Sequence, residues 1–205
     1  MRFAFLFWIL LGLFSCKQYN TNTAVKDYQQ LPTFTENGIQ VVVEIPAGTN
    51  HKIEYDKQSH QFLNDQVDGQ DRVIDFLPYP GNYGFIPSTY MDPERGGDGD
   101  ALDILVIGEA QPTGSVVEAI PIAVLLLKDE GEIDSKIIAI PADSTQQVIR
   151  AKDFTTFSIE FDGAKYIVEN WFLYYKGLGV MEYLGWKDEH YAWEEIRKWA
   201  VKTAE

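Results

Sequence analysis

Apolar and polar positions alternate over short stretches in the middle of the chain, which is typical of β-strands, and glycine or proline turns separate these stretches. The pattern predicts strands at 39–45, 52–55, 72–76, 83–86, 102–107, 115–119, 122–127 and 136–140. Helical spacing appears only late, at 164–175 and at 188–202. In the second helix, Ala192, Ile196, Trp199 and Ala200 fall on one face.

This order of elements bears on the fold class. Strands come first and helices last, in a chain that is too small for two hydrophobic cores. We therefore expect an α+β fold that is mainly β, namely a closed or nearly closed β-barrel with two or more helices packed on its outside.

The first 37 residues differ from the rest of the chain. Arg2 precedes an unbroken apolar run at 3–14, which is typical of a secretory signal and shorter than the roughly 20 residues that a membrane-spanning helix needs. The one cysteine of the chain follows in Leu13-Phe14-Ser15-Cys16, which resembles a bacterial lipoprotein signal. We expect a signal peptide at 1–15, a lipidated N-terminus and polar tether at 16–37, and one domain at 38–205.

These boundaries predict a lipoprotein of the cell envelope that faces the periplasm. The alternative is a buried N-terminal segment with a chance cysteine, in which case the protein is cytoplasmic. Because there is no second cysteine, an internal disulfide is excluded and cannot report on the compartment.

The net charge narrows the range of partners. A formal charge of −14 and a pI near 4.5 create a field that repels nucleic acid and anionic membranes, so contact with a membrane is expected only through a lipid on Cys16. An anionic substrate must arrive with cations or find a local basic pocket.

The most suggestive stretch for chemistry is the acidic loop at 96–103. Asp98, Asp100 and Asp103 crowd into six positions directly before an apolar segment. Three carboxylates this close repel each other unless a cation lies among them, and oxygen ligands favour Mg²⁺, Mn²⁺ or Ca²⁺. A solvated acidic turn is the plainer interpretation, but the following strand would hold these three beside the core.

A second acidic cluster, at 128–136, surrounds Gly131, which indicates a hairpin turn. If its strands lie beside the strand after the acidic loop, both clusters face one cavity and could bind more than one metal ion. Lys52 and Glu54 share a strand face because side chains repeat every two residues. Basic and phenolic groups also stand at Arg72, around the 79–84 turn and at 174–176.

Together these segments resemble the family I soluble inorganic pyrophosphatases, from about residue 41 to the C-terminal helix. The acidic loop is similar to the Asp-x-Asp-x-x-Asp signature of that family, and the stretches around Glu44, Tyr79, Asp129 and Tyr175 follow in the family's order. The resemblance implies an OB-like barrel, homo-oligomers and Mg²⁺-dependent hydrolysis of pyrophosphate, taken as its metal complex, to two phosphates. It implies several Mg²⁺ ions, with Mn²⁺ or Zn²⁺ as possible substitutes.

The resemblance also implies residue roles, with Asp100 as general base. The implied metal ligands are Asp98, Asp103 and Asp134, helped by Asp129 and Glu54. The implied phosphate contacts are Lys52, Arg72, Tyr83, Lys136, Tyr175 and Lys176. Glu44, Tyr79 and Glu130 would line the cavity. In two places the chain departs from the family, because Ala101 stands where a proline is usual and the stretch 87–97 is longer than in compact bacterial members.

Two other functions stay open. In a non-catalytic Ca²⁺-binding envelope lipoprotein, Asp98, Asp100 and Glu109 would match positions of an EF-hand loop, but Asp103 stands where the turn needs glycine. An oligonucleotide-binding OB-fold would need a basic groove, which the composition does not favour. His51, His60 and His190 form no ligand-spaced set and are expected to be surface or packing residues.

Overall fold

The computed structural model describes residues 26–201, so the predicted signal peptide and Cys16 lie outside the described residues. The strands within this range are β1 Ile39–Ile45, β2 Ile53–Asp56, β3 Gln61–Asn64, β4 Gln66–Val67, β5 Gln70–Asp71, β6 Asn82–Phe85, β7 Asp103–Val106, β8 Val116–Asp129, β9 Glu132–Pro141 and β10 Met181–Asp188. The α-helices are α1 Phe154–Ile159, α2 Asp162–Tyr174 and α3 Glu189–Trp199. The prediction of a mainly β fold with helices around it is confirmed.

Strand β1 pairs with two other strands of the main sheet, β6 and β8. Val42 of β1 lies opposite Phe85 of β6 and opposite Val116 of β8, both in antiparallel register. Antiparallel β6–β7, parallel β7–β9 and antiparallel β8–β9 pairings complete a ring of five strands, and β10 adds to β8 outside that ring. The ring brings β7, β8 and β9, which carry the two acidic clusters, next to one another.

Several element predictions need correction. The strands expected at 115–119 and 122–127 form one strand, β8, because a register shift between Pro121 and Ala123 lets the sheet absorb the proline. The strand expected at 72–76 is absent from the described structure, where Val73 makes only an isolated bridge to His51. Helix α1 and strand β10 were not predicted, and β10 lies between α2 and α3, so the helices do not simply follow the strands.

The buried side chains divide between two layers in the way that strand periodicity requires. Ile104 packs with α3, on the side of Ile196 and Trp199, whereas its neighbour Leu105 packs with Trp171 of α2. Ala192 is also buried, so three of the four residues predicted on one face of the last helix lie in the core. Among residues 26–201, none of the helices is both long and apolar enough to cross a bilayer.

The segment that precedes β1 is packed against the domain. Residues 26–37 were expected to belong to the tether, but Tyr28–Gln30 form a 3₁₀ turn and Thr33 is buried. Tyr28 contacts the rings of Tyr55 and Phe62. Part of the expected tether, from Asp27 to Thr33, therefore packs on the domain.

One glycine in β6 allows the close approach on which the ring depends. A Cβ added at Gly84 would lie 1.9 Å from the carbonyl oxygen of Val42. We expect Gly84→Ala to lower the free energy of unfolding by about 3 kcal/mol or more, because backbone of β1 would have to move. Gly163→Ala is the matched control, since a Cβ there meets nothing within 4 Å. Urea denaturation checks the pair, and equal stabilities for the two variants would contradict the prediction.

Candidate active site

A polar cavity of about 430 Å³ opens beside strands β2, β7, β8 and β9 and the end of α2. The structure places there all eleven residues expected to bind metal or phosphate. They are Lys52, Glu54, Arg72, Tyr83, Asp98, Asp103, Asp129, Asp134, Lys136, Tyr175 and Lys176. Glu130 also lines this cavity, as expected, and Glu132 lines it without having been predicted. Residues more than 120 positions apart along the chain thus meet in one place.

A second cavity, of about 210 Å³, shares part of this wall and holds the expected general base. Asp100 lines it together with Glu44, Asp98 and Asp103. The Asp100 side chain is 73% exposed, and Lys57 Nζ donates to its Oδ1 at 2.9 Å. Sequence reasoning missed Lys57, because nothing in its spacing on the turn after β2 relates it to a loop more than 40 residues away.

Backbone hydrogen bonds attach the acidic loop to Met91. Met91 N–H donates to the carbonyl of Asp100 at 2.7 Å, and Gly99 N–H donates to the carbonyl of Met91 at 2.8 Å. Gly97 is required at this approach, since a Cβ there would lie 2.3 Å from the Met91 backbone. The N–H of Asp100 donates to Asp98 Oδ1 at 2.9 Å. The loop backbone therefore fixes where its carboxylates can point.

Lys136 connects the two acidic clusters. It lies on β9 and is 4% exposed, and its ammonium pairs with Asp103 of β7 and, at 2.6 Å, with Asp134. Burial opposes the charge on Lys136, but the two carboxylates raise its pKa well above the usual value. Burial alone would raise the pKa of Asp103, yet Lys136 holds it below the usual value. Lys136 and Asp103 are therefore both ionised at neutral pH.

The β8–β9 hairpin supplies the second acidic cluster. Its turn is Glu130-Gly131, with φ of 48° and 100°, which matches the two left-handed residues of a tight hairpin and confirms the expected turn. Asp129, just before the turn, pairs with Lys176, which follows the end of α2. Burial works against the charge on Lys176, but its hydrogen bond to Asp129 raises its pKa.

Two phenols lie among these charges. Tyr83 is buried, and the ammonium groups of Lys52 and Lys136 lie 5.6 and 5.7 Å from the centre of its ring. Burial, followed by Asp103 and Asp134, raises the pKa of Tyr83 well above its usual value, and burial also raises the pKa of Tyr175. Both side chains therefore keep their protons at neutral pH and can act as hydrogen-bond donors.

The remaining cations are held by nearby carboxylates. Lys52 pairs with Glu54 at 2.8 Å, so the expected shared strand face brings them together. Arg72 donates to Asp65 at 2.9 Å, and this hydrogen bond raises the pKa of the guanidinium and lowers that of Asp65. Each cation of the site thus has a carboxylate partner that a bound anion could replace.

Tyr79 does not lie where the resemblance implied. It lines neither cavity and is 3% exposed in the core, where its ring packs against Trp171 with centroids 4.2 Å apart. Its neighbour Gly81 turns the chain tightly against Leu105 and Val106. Its ring centre is 5.3 Å from that of Tyr83, which it supports from the core side, and its phenol interacts electrostatically with Lys52 of the site.

The donor atoms of the large cavity suit a hard cation. Seven carboxylates line it, and Asp129 Oδ1 is buried without a hydrogen-bond partner, which leaves this oxygen available to a metal ion. Among residues 26–201, no three acidic, cysteine or histidine side chains are grouped closely enough to hold one ion. Lys136 and Lys176 lie between the carboxylates, so binding a cation would require these lysines to exchange partners.

The EF-hand alternative has no support in the structure. Its loop would have to lead into a helix, but Asp103 opens β7, and the loop is closed by backbone hydrogen bonds to Met91.

Comparison with known proteins identifies the family. The family model described as inorganic pyrophosphatase matches residues 41–204. The inorganic pyrophosphatase of Synechocystis sp. is 37% identical over 169 residues, which cover 79% of this chain and 90% of that protein. Inorganic pyrophosphatase 1 of Pseudomonas syringae is 35% identical, over 83% and 95%. The Sulfolobus acidocaldarius protein is 44% identical over 108 residues, and the matched part spans only 57% of its length.

Solved structures give the same result. The crystal structure of inorganic pyrophosphatase from Thermus thermophilus superposes with a TM-score of 0.71 at 30% identity, and covers 84% of this chain and 95% of that chain. The fold and the site define a metal-dependent phosphorus anhydride hydrolase of the OB-like kind. The chain belongs to the inorganic pyrophosphatase family, and its enzyme class is that of the inorganic diphosphatases.

Glu44 leads to a prediction about stability and pH. Its Oε1 accepts the Tyr55 N–H at 2.7 Å, and burial raises its pKa to about 8 from the usual 4.5. Because the folded state favours the protonated form, the contribution of Glu44 to stability is complete below about pH 4.5 and is lost as the pH rises through 8. We expect Glu44→Gln to match the wild type at pH 5 and to be more stable than it at pH 9, in chelator.

Denaturant unfolding at several pH values measures this difference, with the exposed Glu182→Gln as the matched control. A gap between Glu44→Gln and the wild type that does not change with pH would mean that Glu44 does not titrate in this range.

Proposed function

We propose that the protein hydrolyses inorganic pyrophosphate to two phosphates, with Mg²⁺ as its cofactor. The observation that supports this best is one cavity lined by seven carboxylates, four cationic side chains and two protonated phenols. Such a lining suits an anionic substrate that arrives with its metal ions. The five-stranded ring of pairings supports describing the fold as a closed OB-like barrel.

The carboxylates are the groups that would hold Mg²⁺. Asp98, Asp103 and Asp134 are the proposed ligands, and Asp129 and Glu54 would help to hold further ions. When bound, such ions lower the pKa of a water molecule and offset charge on the phosphate oxygens. Mn²⁺ or Zn²⁺ would substitute for Mg²⁺ on the same oxygen donors.

The cationic and phenolic side chains are the groups that would bind pyrophosphate. Lys52, Arg72, Lys136 and Lys176 would donate charge-assisted hydrogen bonds to the phosphate oxygens. Tyr83 and Tyr175 would donate neutral ones. The three lysines pair with carboxylates of the same site, so these carboxylates would become available for metal as the lysines turn to phosphate.

Asp100 is the proposed general base. Its side chain is 73% exposed, whereas that of Asp103 in the same loop is 32% exposed. Asp100 lies beside Asp98 in the smaller cavity. An exposed carboxylate that is not needed as a metal ligand is free to accept a proton from an attacking water. The proton would leave the water oxygen for a carboxylate oxygen of Asp100 as the water oxygen bonds to one phosphorus. The bond between that phosphorus and the bridging oxygen would break in the same displacement, and the second phosphate would leave with the bridging oxygen.

Phosphate release from pyrophosphate tests the function. We expect release with Mg²⁺ and little with Ca²⁺, because Ca²⁺ accepts longer and looser coordination. If the chain binds Ca²⁺ and releases no phosphate with Mg²⁺, the non-catalytic Ca²⁺-binding alternative gains support and the proposal is wrong.

Three substitutions in the acidic loop separate proton transfer from metal holding. Asp100→Asn should lower kcat by about 10² to 10⁴, the usual range for a lost general base. Asp98→Asn and Asp103→Asn should instead raise the Mg²⁺ concentration needed for activity. The measurement is kcat against Mg²⁺ concentration for the three variants side by side. Full rescue of Asp100→Asn by excess Mg²⁺ would make Asp100 a ligand and place the base elsewhere.

The proposed location is the cell envelope, with the domain anchored by a lipid on Cys16 and facing the periplasm. Substituting Cys16→Ser should abolish labelling by a radioactive fatty acid while the domain keeps its activity, since the cysteine is remote in sequence from every site residue. Recovery of the unprocessed wild-type chain from the cytoplasm would contradict this and favour the cytoplasmic alternative.

A homo-oligomer is also part of the proposal. Exposed apolar side chains around α2, namely Phe76, Leu77, Tyr166 and Ile167, line a small cavity of about 250 Å³ and support contact with another chain.

A further inference from the structure

The segment 27–33 precedes the residues that the family model matches, yet it packs beside the candidate active site. We propose that this segment, which we call the strap, positions the acidic loop 96–103. The proposal rests on the proposed function only in taking that loop as the metal-binding and catalytic element.

The first half of the strap is fixed to strand β2. The Tyr28 ring packs edge-on against Tyr55, with centroids 5.4 Å apart, and against Phe62, at 5.1 Å. Tyr28 N–H donates to the Tyr55 hydroxyl at 3.2 Å, and Asp27 Oδ1 lies 3.3 Å from the same hydroxyl. Asp27 also caps the short 3₁₀ turn that presents Tyr28. Tyr55 therefore has both ring and hydroxyl contacts with the strap.

Tyr55 is directly connected to the site. It follows Glu54, one of the carboxylates of the large cavity, and its own N–H donates to Glu44 in the smaller cavity. A shift of Tyr55 would move both carboxylates. The first half of the strap thus supports one wall of the site.

The second half of the strap is fixed to Ser88. The Ser88 N–H and hydroxyl reach the carbonyl of Gln29 at 2.8 and 3.1 Å, and the hydroxyl donates to the carbonyl of Leu31 at 2.8 Å. Ser88 has a φ of 50°, a conformation that is uncommon for a residue other than glycine. Thr33 donates to the neighbouring Pro87 carbonyl at 2.8 Å. These bonds hold the chain at Ser88 in a conformation that it would not otherwise favour.

The residues after Ser88 hold the acidic loop. Thr89 Oγ1 accepts the Leu102 N–H at 2.9 Å, and Met91 N–H donates to the Asp100 carbonyl at 2.7 Å. The strap is therefore connected to the loop through residues 88–91, which bond to the strap at Ser88 and to the loop at Thr89 and Met91.

A second contact is apolar. Ala101 of the loop packs against the buried cluster of Val42, Tyr55 and Phe85, and Tyr28 and Leu31 of the strap pack against the same cluster. Gln29 lines the cavity that holds Asp98 and Asp100. Loss of the strap would expose one side of this cluster and leave Ala101 with fewer neighbours.

The test compares local with global effects in the full-length chain. Tyr28→Ala should make the backbone amides of 97–103 exchange hydrogen about two- to tenfold faster, the scale expected for the loss of aromatic pairs. Exchange in the β8 and β9 core should not change. The Mg²⁺ concentration at half-maximal activity should rise several-fold, while kcat at saturating Mg²⁺ stays near the wild-type value.

Ala101→Pro supplies a rescue. Within residues 26–201, the Ala101 N–H donates to no other backbone group, so a proline there removes no such bond and restricts the loop directly. In the Tyr28→Ala background, Ala101→Pro should reverse most of the increase in the hydrogen-exchange rate of the loop. Tyr28→Phe, which keeps the ring, should behave as wild type. Phe34→Ala, at an exposed ring just beyond the strap, is the matched control.

The outcomes are distinct. Wild-type loop exchange in Tyr28→Ala, an equal increase in all segments, or no rescue by Ala101→Pro would each overturn the proposal. Leu31→Ala serves as a second variant if Tyr28→Ala fails to fold. If the wild-type chain releases no phosphate, the proposed function fails, but the exchange and rescue measurements still decide the role of the strap.

Discussion

The buried ion pairs of Lys136 with Asp103 and Asp134 are the interaction on which the rest of the site depends. A lysine that is 4% exposed must be paired, since a buried charge without a partner costs several kcal/mol. Its two partners lie on different strands of the sheet, so the pairing joins β7 to β9 by charge as well as by backbone hydrogen bonds. Seven carboxylates can therefore share one cavity in a folded chain.

The same pairings explain how the site can exist before it binds anything. Lys52, Lys136 and Lys176 each hold a carboxylate that is also a proposed metal ligand. In the proposed function, metal and phosphate would supply the charges that these partners provide to each other, so binding would exchange one set of ion pairs for another. The net charge of −14 then favours metal cations near the site while the local lysines accept the anion.

Support for the site comes from outside the ring of strands as well as from within it. Tyr79 packs under Tyr83 from the core side, and the segment before β1 packs over Tyr55 from the surface side. Neither group is among the side chains that line the larger cavity. The position of the carboxylates thus depends on aromatic packing that reaches well beyond the groups that carry charge.

The sequence alone determined the local patterns of this protein. These are the alternating strands, the glycine turn of the β8–β9 hairpin and the clustered aspartates. The eleven proposed metal and phosphate residues were found because charged and phenolic groups at family spacings are visible without a fold. Only the tertiary structure decided that β10 pairs with β8, that β8 runs through Pro121, and that 72–76 makes no strand, because long-range pairing overrides local preference. It also decided that Lys57 meets Asp100, that Tyr79 is buried, and that residues 27–33 pack on the domain. These contacts join segments far apart in the chain, and no local pattern encodes such proximity.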